Sequence, residues 1–103
     1  MANKWGIPKE VEEFVRQRDL KCVYCSAEFT HSSVSYKSRV TWEHIINDMK
    51  INGIENIALC CGSCNASKGS KRLEDWLESN YCAKKGITIN TIAPFVRKCI
   101  PSA

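Results

Sequence analysis

Apolar residues recur at helical spacing near the start of the chain. Val11, Phe14 and Val15 lie at positions i, i+3 and i+4 within "IPKEVEEFVRQRDL", a spacing typical of one face of an amphipathic helix. Pro8 suits a first helical turn, and the acidic residues near the start and the arginines near the end complement the helix dipole. The pattern therefore predicts an N-terminal helix.

The pattern changes in the middle of the chain. β-Branched and aromatic residues in "SRVTWEHII" predict a strand. The polar residues 26–38 predict a loop or an irregular hairpin, and "NDMKINGIEN" predicts a loop with a turn at Asn52 and Gly53. A tight turn is expected over "KCVYCS".

Helical patterns return after Gly62, first over "SCNASKG" and then over "KRLEDWLESNYCAKK". In the second stretch Leu73, Trp76 and Leu77 repeat the i, i+3, i+4 spacing, and Gly86 suits a C-terminal cap. A last short helix is predicted, either broken or started near Pro94, and Trp42 and Trp76 are predicted to anchor the core. No repeat or long linker is visible, so we expect one domain over residues 1–103 with a small mixed α+β fold.

Composition makes cysteine chemistry the main question. The chain has 103 residues and seven cysteines, and a domain of this size often needs a disulfide or metal staple. The N-terminus does not resemble a signal peptide and no apolar run approaches the roughly 20 residues that span a membrane. A cytoplasmic protein with no membrane association is therefore expected. Thiols there stay reduced, and an odd cysteine count leaves one unpaired in an all-disulfide scheme, so we predict a metal site.

Two cysteine pairs have the spacing of a zinc site. Cys22 and Cys25 form one CxxC motif and Cys61 and Cys64 form another, which together supply a tetrahedral four-sulfur shell. A closed shell leaves no position for substrate, so this zinc is predicted to be structural. Cys60 is an alternative to Cys61 in a CxxxC register. The cysteines outside the predicted shell are expected to be buried small hydrophobic residues: Cys60, Cys82 and Cys99.

A second set of residues offers different chemistry. Glu43 and His44 are adjacent near the end of the predicted strand, Asn56 follows, and Asn65 comes directly after Cys64. Carboxylate and amide oxygens are hard ligands that suit magnesium or manganese and do not suit a thiolate site. An imidazole can accept a proton at neutral pH if it stays outside the metal shell.

The charge distribution favours a polyanionic partner. The formal net charge is +4, and a four-thiolate zinc site would reduce it by two. Lys68, Lys71 and Arg72 cluster after the cysteines, and Lys37 and Arg39 precede the histidine. These basic residues are candidates for contacts with phosphates.

The order of these motifs resembles the HNH endonuclease family. The order C-x-x-C, E-H-I, N-I-x-L-C-C-x-x-C-N-x-x-K-G runs over about Arg18 to Gly69, and "RDLKCVYC" resembles the family's entry segment. The resemblance implies a ββα-metal fold, in which two strands and a helix hold one divalent ion. It also implies a magnesium- or manganese-dependent nuclease.

The resemblance assigns a role to each matching residue. His44 matches the general base, Glu43 and Asn65 match the ligands of the catalytic ion, and Asn56 matches the residue that braces the loop and orients the histidine. Lys68 matches a lysine near the phosphate backbone, and Lys71, Arg72 and Arg39 are further candidates for DNA contacts. His31 has no partner pattern and is expected to be non-catalytic.

The chain departs from the family pattern at several positions. Glu43 stands where aspartate is commonest, Asn47 stands where proline is frequent, and Ser26 replaces a usual glycine after the first CxxC pair. The loop "MKINGIEN" has only one glycine where a pair is common. None of these changes removes a chemical group that the reaction needs, and only the change at Glu43 concerns the metal.

The combined prediction is a DNA endonuclease with one structural zinc. One active site cuts one strand per event, so a monomer would nick, and a double-strand break would need a dimer or two successive cuts. Duplex DNA, a branched junction and RNA all stay open as substrates, and the resemblance fits a bacterial or phage protein. The alternatives are a non-catalytic zinc-stapled nucleic-acid-binding module and a zinc-dependent transcription or RNA-binding factor.

Overall fold

The computed structural model describes residues 6–29, 39–48 and 51–100. Its helices and strands are α1 (Lys9–Arg18), β1 (Val40–His44), β2 (Ile57–Cys61), α2 (Gly62–Lys68), α3 (Leu73–Trp76), α4 (Asn80–Lys85) and α5 (Pro94–Arg97). Most of the loop predicted over residues 26–38, including His31 and Lys37, lies outside the described residues. Positions 49–50 of the second predicted loop also lie outside them. None of the described helices is long and apolar enough to cross a membrane.

The two strands pair antiparallel and lead directly into a helix. Val40 lies opposite Cys61 and His44 lies opposite Ile57, and α2 begins at the residue after β2. The α+β fold class and the ββα order are thus confirmed. The hydrophobic pattern alone missed β2, because all five of its residues are buried and a strand buried on both faces has no apolar–polar alternation.

The predicted N-terminal helix is confirmed as α1, which packs on β2. Val15 is fully buried and contacts a small cluster that includes Ile57 and Leu59. Phe14, from the same predicted stripe, keeps 47% of its surface exposed. The guanidinium group of Arg18 lies 5.5 Å from the centre of the Phe14 ring. One side of α1 therefore reaches the core while Phe14 lies at its edge.

The end of α1 is fastened to β2 by Arg18 and Asp19. Arg18 donates to the carbonyl oxygens of Ile54 and Ile57, both at 2.7 Å, and its Nε lies 2.7 Å from Asp19 Oδ1. The other Asp19 oxygen accepts the backbone N–H of Leu59 at 3.0 Å. This pair, in which only Asp19 is fully buried, sets where the "RDLKCVYC" segment meets the sheet.

The helix predicted over "KRLEDWLESNYCAKK" is divided into α3 and α4. The hydroxyl oxygen of Ser79 accepts the backbone N–H of Cys82 at 3.3 Å, so this serine caps a new helix where the periodicity predicted continuation. Trp76 is fully buried with its ring 4.9 Å from that of Tyr24, as predicted for a core anchor, whereas Trp42 is only partly buried. The predicted cap at Gly86 is confirmed by its left-handed backbone, with φ of 72°.

The structure explains why glycine is usual at position 26. Ser26 has φ of 64°, and it is the one non-glycine residue with positive φ among the described residues. A left-handed backbone costs an L-residue about 1–2 kcal/mol, which glycine avoids. The strain lies directly after the first cysteine pair.

Ser26→Gly should therefore raise the free energy of unfolding, by about 0.5–1 kcal/mol after the greater chain entropy of glycine is counted. Urea unfolding of the zinc-loaded protein measures the change. Ser70→Gly is the matched control, because Ser70 has ordinary φ and should gain nothing. A lower stability for Ser26→Gly than for the unmodified chain would contradict the strain argument.

Candidate metal centres and active site

Four cysteine sulfurs converge where three elements meet. Cys22 and Cys25 lie in the turn after α1, Cys61 ends β2, and Cys64 lies in the first turn of α2. The four sulfur atoms all lie within 4.8 Å of one another. The predicted clustering is confirmed, and the cluster could hold a metal.

The spacing and the donor set fit zinc. Tetrahedral zinc with sulfur ligands at about 2.3 Å implies sulfur–sulfur distances of about 3.8 Å. The Sγ atoms of Cys25 and Cys61 are 3.7 Å apart. Hydrogen bonding from Cys22, and then from Cys64, lowers the pKa of the Cys61 thiol to about 2. The same contact with Cys61 raises the pKa of Cys22 to about 12.

Cys60 lies outside the sulfur cluster. Its Sγ is 3.6 Å from the hydroxyl of Thr41, and burial raises the pKa of this thiol well above its ordinary value, with the Glu43 charge as the next cause. The four-sulfur cluster contains Cys61 and not Cys60, which favours the CxxC register. Cys82 is also buried, whereas Cys99 is half-buried and donates to the carbonyl oxygen of Glu55 at 3.3 Å.

Glu43 is a buried carboxylate held through one oxygen. Its side chain is 6% exposed, and the Tyr24 hydroxyl donates to Oε2 at 2.7 Å. The Lys68 ammonium lies 3.0 Å from the same oxygen. Burial, and then the Glu43 charge, raise the pKa of Tyr24 well above its ordinary value, so the phenol keeps its proton and remains a donor. No described residue donates a hydrogen bond to Oε1.

Lys68 does not lie where a DNA contact was predicted. Its side chain is completely buried, and its Nζ also donates to the carbonyl oxygen of Ile45 at 2.9 Å. An ammonium in this position cannot reach a phosphate at the surface. The physical reason is the buried carboxylate of Glu43, which needs a partner charge in the interior.

Asn65 fastens α2 to β1 through its amide nitrogen. Nδ2 donates to the Thr41 hydroxyl at 2.9 Å and to the Trp42 carbonyl at 3.1 Å. Lys68 follows three residues later on the same face of α2 and contacts Glu43. Asn65 and Lys68 thus define a contact between helix and strand, which we call the α2–β1 seam. No described residue donates a hydrogen bond to Asn65 Oδ1. The oxygens Glu43 Oε1 and Asn65 Oδ1 fit the hard ligands that magnesium and manganese prefer.

Asn56 braces the loop between the two strands. Its Oδ1 accepts the backbone N–H of Ile46 at 2.7 Å, and its Nδ2 donates to the carbonyl oxygens of Ile46 at 3.1 Å and Ile51 at 3.0 Å. The side chain is buried, so it replaces water for three backbone groups. These contacts close the loop directly after His44.

His44 meets a residue that the sequence analysis did not assign to the site. Its Nε2 lies 2.8 Å from Asn52 Oδ1. Successive residues of a strand project to opposite faces, so His44 leaves β1 on the face away from the α2–β1 seam. Glu43 and Asn65 therefore both lie at the α2–β1 seam, while His44 contacts Asn52 of the loop. The only sequence signal at Asn52 was its place before Gly53 in a turn.

The remaining basic candidates lie near the end of α2. Lys71 and Arg72 are exposed and line a cleft of about 380 Å³ that also includes Ile45 and Asn47. Arg72 lies 2.7 Å from Glu74 and Lys71 donates to the Ser67 carbonyl. Arg39 is half-buried just before β1, and its carbonyl accepts the Gly62 N–H.

Comparison with protein-family models identifies an HNH endonuclease match over residues 22–71. Searches of curated proteins and of solved structures found no match. The matched segment contains both cysteine pairs, the two strands and α2. It also contains Glu43, His44 and Asn65. Residues 22–71 of this chain therefore form a domain of the HNH endonuclease family.

Proposed function

We propose that this chain is a divalent-metal-dependent DNA endonuclease in which His44 is the general base. The observation that carries the proposal is the family match over residues 22–71, a segment that contains His44 as well as the two spare oxygens of the α2–β1 seam. Hydrolysis by a base-activated water would leave 5′-phosphate and 3′-hydroxyl ends. A monomer with this single site would nick duplex or branched DNA.

The side chains divide the chemistry between them. His44 takes the proton of the attacking water, and Asn56 holds the loop that follows it. Glu43 and Asn65 would hold a magnesium or manganese ion, which would supply positive charge against the phosphate. Tyr24 and Lys68 fix the orientation of Glu43 by binding its Oε2.

Exposed basic residues would position the nucleic acid. Lys71 and Arg72 lie beside the cleft next to Ile45, two residues beyond Glu43, and Arg39 precedes β1. Contacts with backbone phosphates carry no sequence information, so cleavage of low sequence specificity is expected. Lys68 takes the role of neutralising Glu43 in place of the phosphate contact.

The four-cysteine site would carry a structural zinc. Four sulfur ligands complete the coordination of the ion, so the shell has no place for water or substrate. Its contribution to function is to hold α2, and thereby Asn65, against β1.

The Lys68–Glu43 contact also favours a second function, a non-catalytic zinc-stapled nucleic-acid-binding module. The ammonium already neutralises the carboxylate, as it would in a domain that holds no catalytic ion. Manganese binding separates the two functions, because only the nuclease requires it.

Substitution of His44 and of Glu43 should have different effects. His44→Ala should lower plasmid nicking by roughly 10²–10⁴-fold, the contribution of general base catalysis, and should leave manganese affinity unchanged. Glu43→Gln with Lys68→Met should abolish manganese binding; the second change avoids leaving a buried ammonium unpaired. Nicking is measured on supercoiled plasmid, and manganese binding by the loss of the free-ion signal in electron paramagnetic resonance.

Two control variants test whether the effects are specific to His44 and Glu43. His31→Ala and Glu28→Gln, the latter at an exposed position, should keep both nicking and manganese binding. If the folded, zinc-loaded protein neither binds manganese nor nicks, the binding module is the correct function. Equal nicking by His44→Ala and the unmodified chain would remove His44 from the mechanism.

Removal of one sulfur ligand should unfold the protein. Cys64→Ser is expected to lose both zinc and the cooperative thermal transition, because metal binding and folding are coupled in small zinc domains. Cys82→Ser is the matched control: Cys82 is buried outside the cluster, so this variant should keep one zinc per chain by elemental analysis. A folded, zinc-free Cys64→Ser protein would show that the site is not structural.

A further inference from the structure

We infer that Asn52 is a positioning residue for His44: it binds the ring at Nε2 and so makes Nδ1 the atom that accepts the proton. The inference rests on the proposed function of His44 and extends it to a residue outside the motif. The observation is the 2.8 Å contact between His44 Nε2 and Asn52 Oδ1.

The loop holds Asn52 from both sides. The carbonyl of the preceding Ile51 accepts from Asn56 Nδ2 at 3.0 Å, and the carbonyl of the following Gly53 accepts the N–H groups of Asn56 and Ile57 at 3.0 and 3.1 Å. Arg18 adds a contact with the carbonyl of Ile54. The backbone around Asn52 is thus tied to Asn56, to β2 and to α1. Asn56 therefore helps to orient His44 indirectly, because it holds the backbone next to Asn52.

The contact selects one form of the imidazole ring. An amide oxygen only accepts hydrogen bonds, so Nε2 must carry the proton in this contact. In a neutral imidazole the other nitrogen, Nδ1, then carries the lone pair. Asn52 therefore fixes both the rotation of the ring and the nitrogen that serves as the base.

Nuclear magnetic resonance of the histidine rings tests this without DNA or manganese. The chain has two histidines, so a His31→Gln variant labelled with ¹⁵N-histidine reports His44 alone. In the zinc-loaded protein we expect the proton on Nε2 and protected from exchange with water. Free imidazole already favours this tautomer, so protection from exchange is the decisive readout.

Two substitutions of similar size separate positioning from packing. Asn52→Leu removes the acceptor and should lose the protected ring proton and lower nicking by roughly 10- to 100-fold, with manganese affinity unchanged. Asn52→Asp keeps an acceptor oxygen and should retain the Nε2 proton. Asn90→Leu, at an exposed position, is the matched control and should change neither.

Each result decides the inference separately from the proposed function. A proton on Nδ1 in the unmodified ring, or an Nε2 proton that exchanges freely, would overturn it even if the protein nicks DNA. If Asn52→Leu does not fold, the ring spectra of the starting protein and of Asn52→Asp still decide. A protected Nε2 proton in a protein that does not nick would support the positioning contact and contradict the nuclease.

Discussion

The position of α2 depends on the four-sulfur cluster. Cys61 ends β2 and also caps α2, where its sulfur accepts the backbone N–H of Cys64 at 3.5 Å. Cys22 and Cys25 bring the turn after α1 to the same point. Zinc binding by sites of this kind is worth about 10–16 kcal/mol in apparent free energy, comparable with the 5–15 kcal/mol that stabilises an ordinary domain. A zinc ion in this cluster would therefore stabilise the geometry of the α2–β1 seam.

The buried ion pair is the second constraint. Removing one partner of such a pair costs about 3–5 kcal/mol because the other charge is left unpaired in the interior. Glu43 and Lys68 therefore hold each other in place between β1 and α2, and the Tyr24 hydroxyl adds a third group to the same oxygen. One oxygen of the carboxylate, Oε2, makes these structural contacts, and Oε1 is the oxygen that the proposed function assigns to the divalent ion.

The sequence predicted features that depend on neighbours along the chain. Two CxxC pairs, the cap at Gly86 and a short helix near Pro94 each follow from local sequence patterns, and all are present. The hydrophobic pattern did not predict β2, because a fully buried strand has no alternation of apolar and polar residues. It predicted one continuous helix across Ser79, where the structure has two helices. Ser79 caps the second of these helices by accepting the backbone N–H of Cys82.

Contacts between distant segments could not be predicted in this way. Lys68 was expected near the phosphate backbone because it matches a lysine of the family motif, and its burial depends on where Glu43 lies in three dimensions. Asn52 was recognised as a turn residue, whereas its contact with His44 depends on the conformation of the loop that Asn56 braces. Pairwise packing, and not residue type, set these positions.

The central claim is that one stretch of chain serves two different metals while His44 binds neither. Anomalous X-ray diffraction from crystals of the zinc-loaded protein soaked in manganese tests it most directly. The account predicts a zinc peak among the sulfurs of Cys22, Cys25, Cys61 and Cys64, and a separate manganese peak beside Glu43 Oε1 and Asn65 Oδ1. A manganese peak coordinated by His44, or no second peak in the soaked crystals, would contradict it.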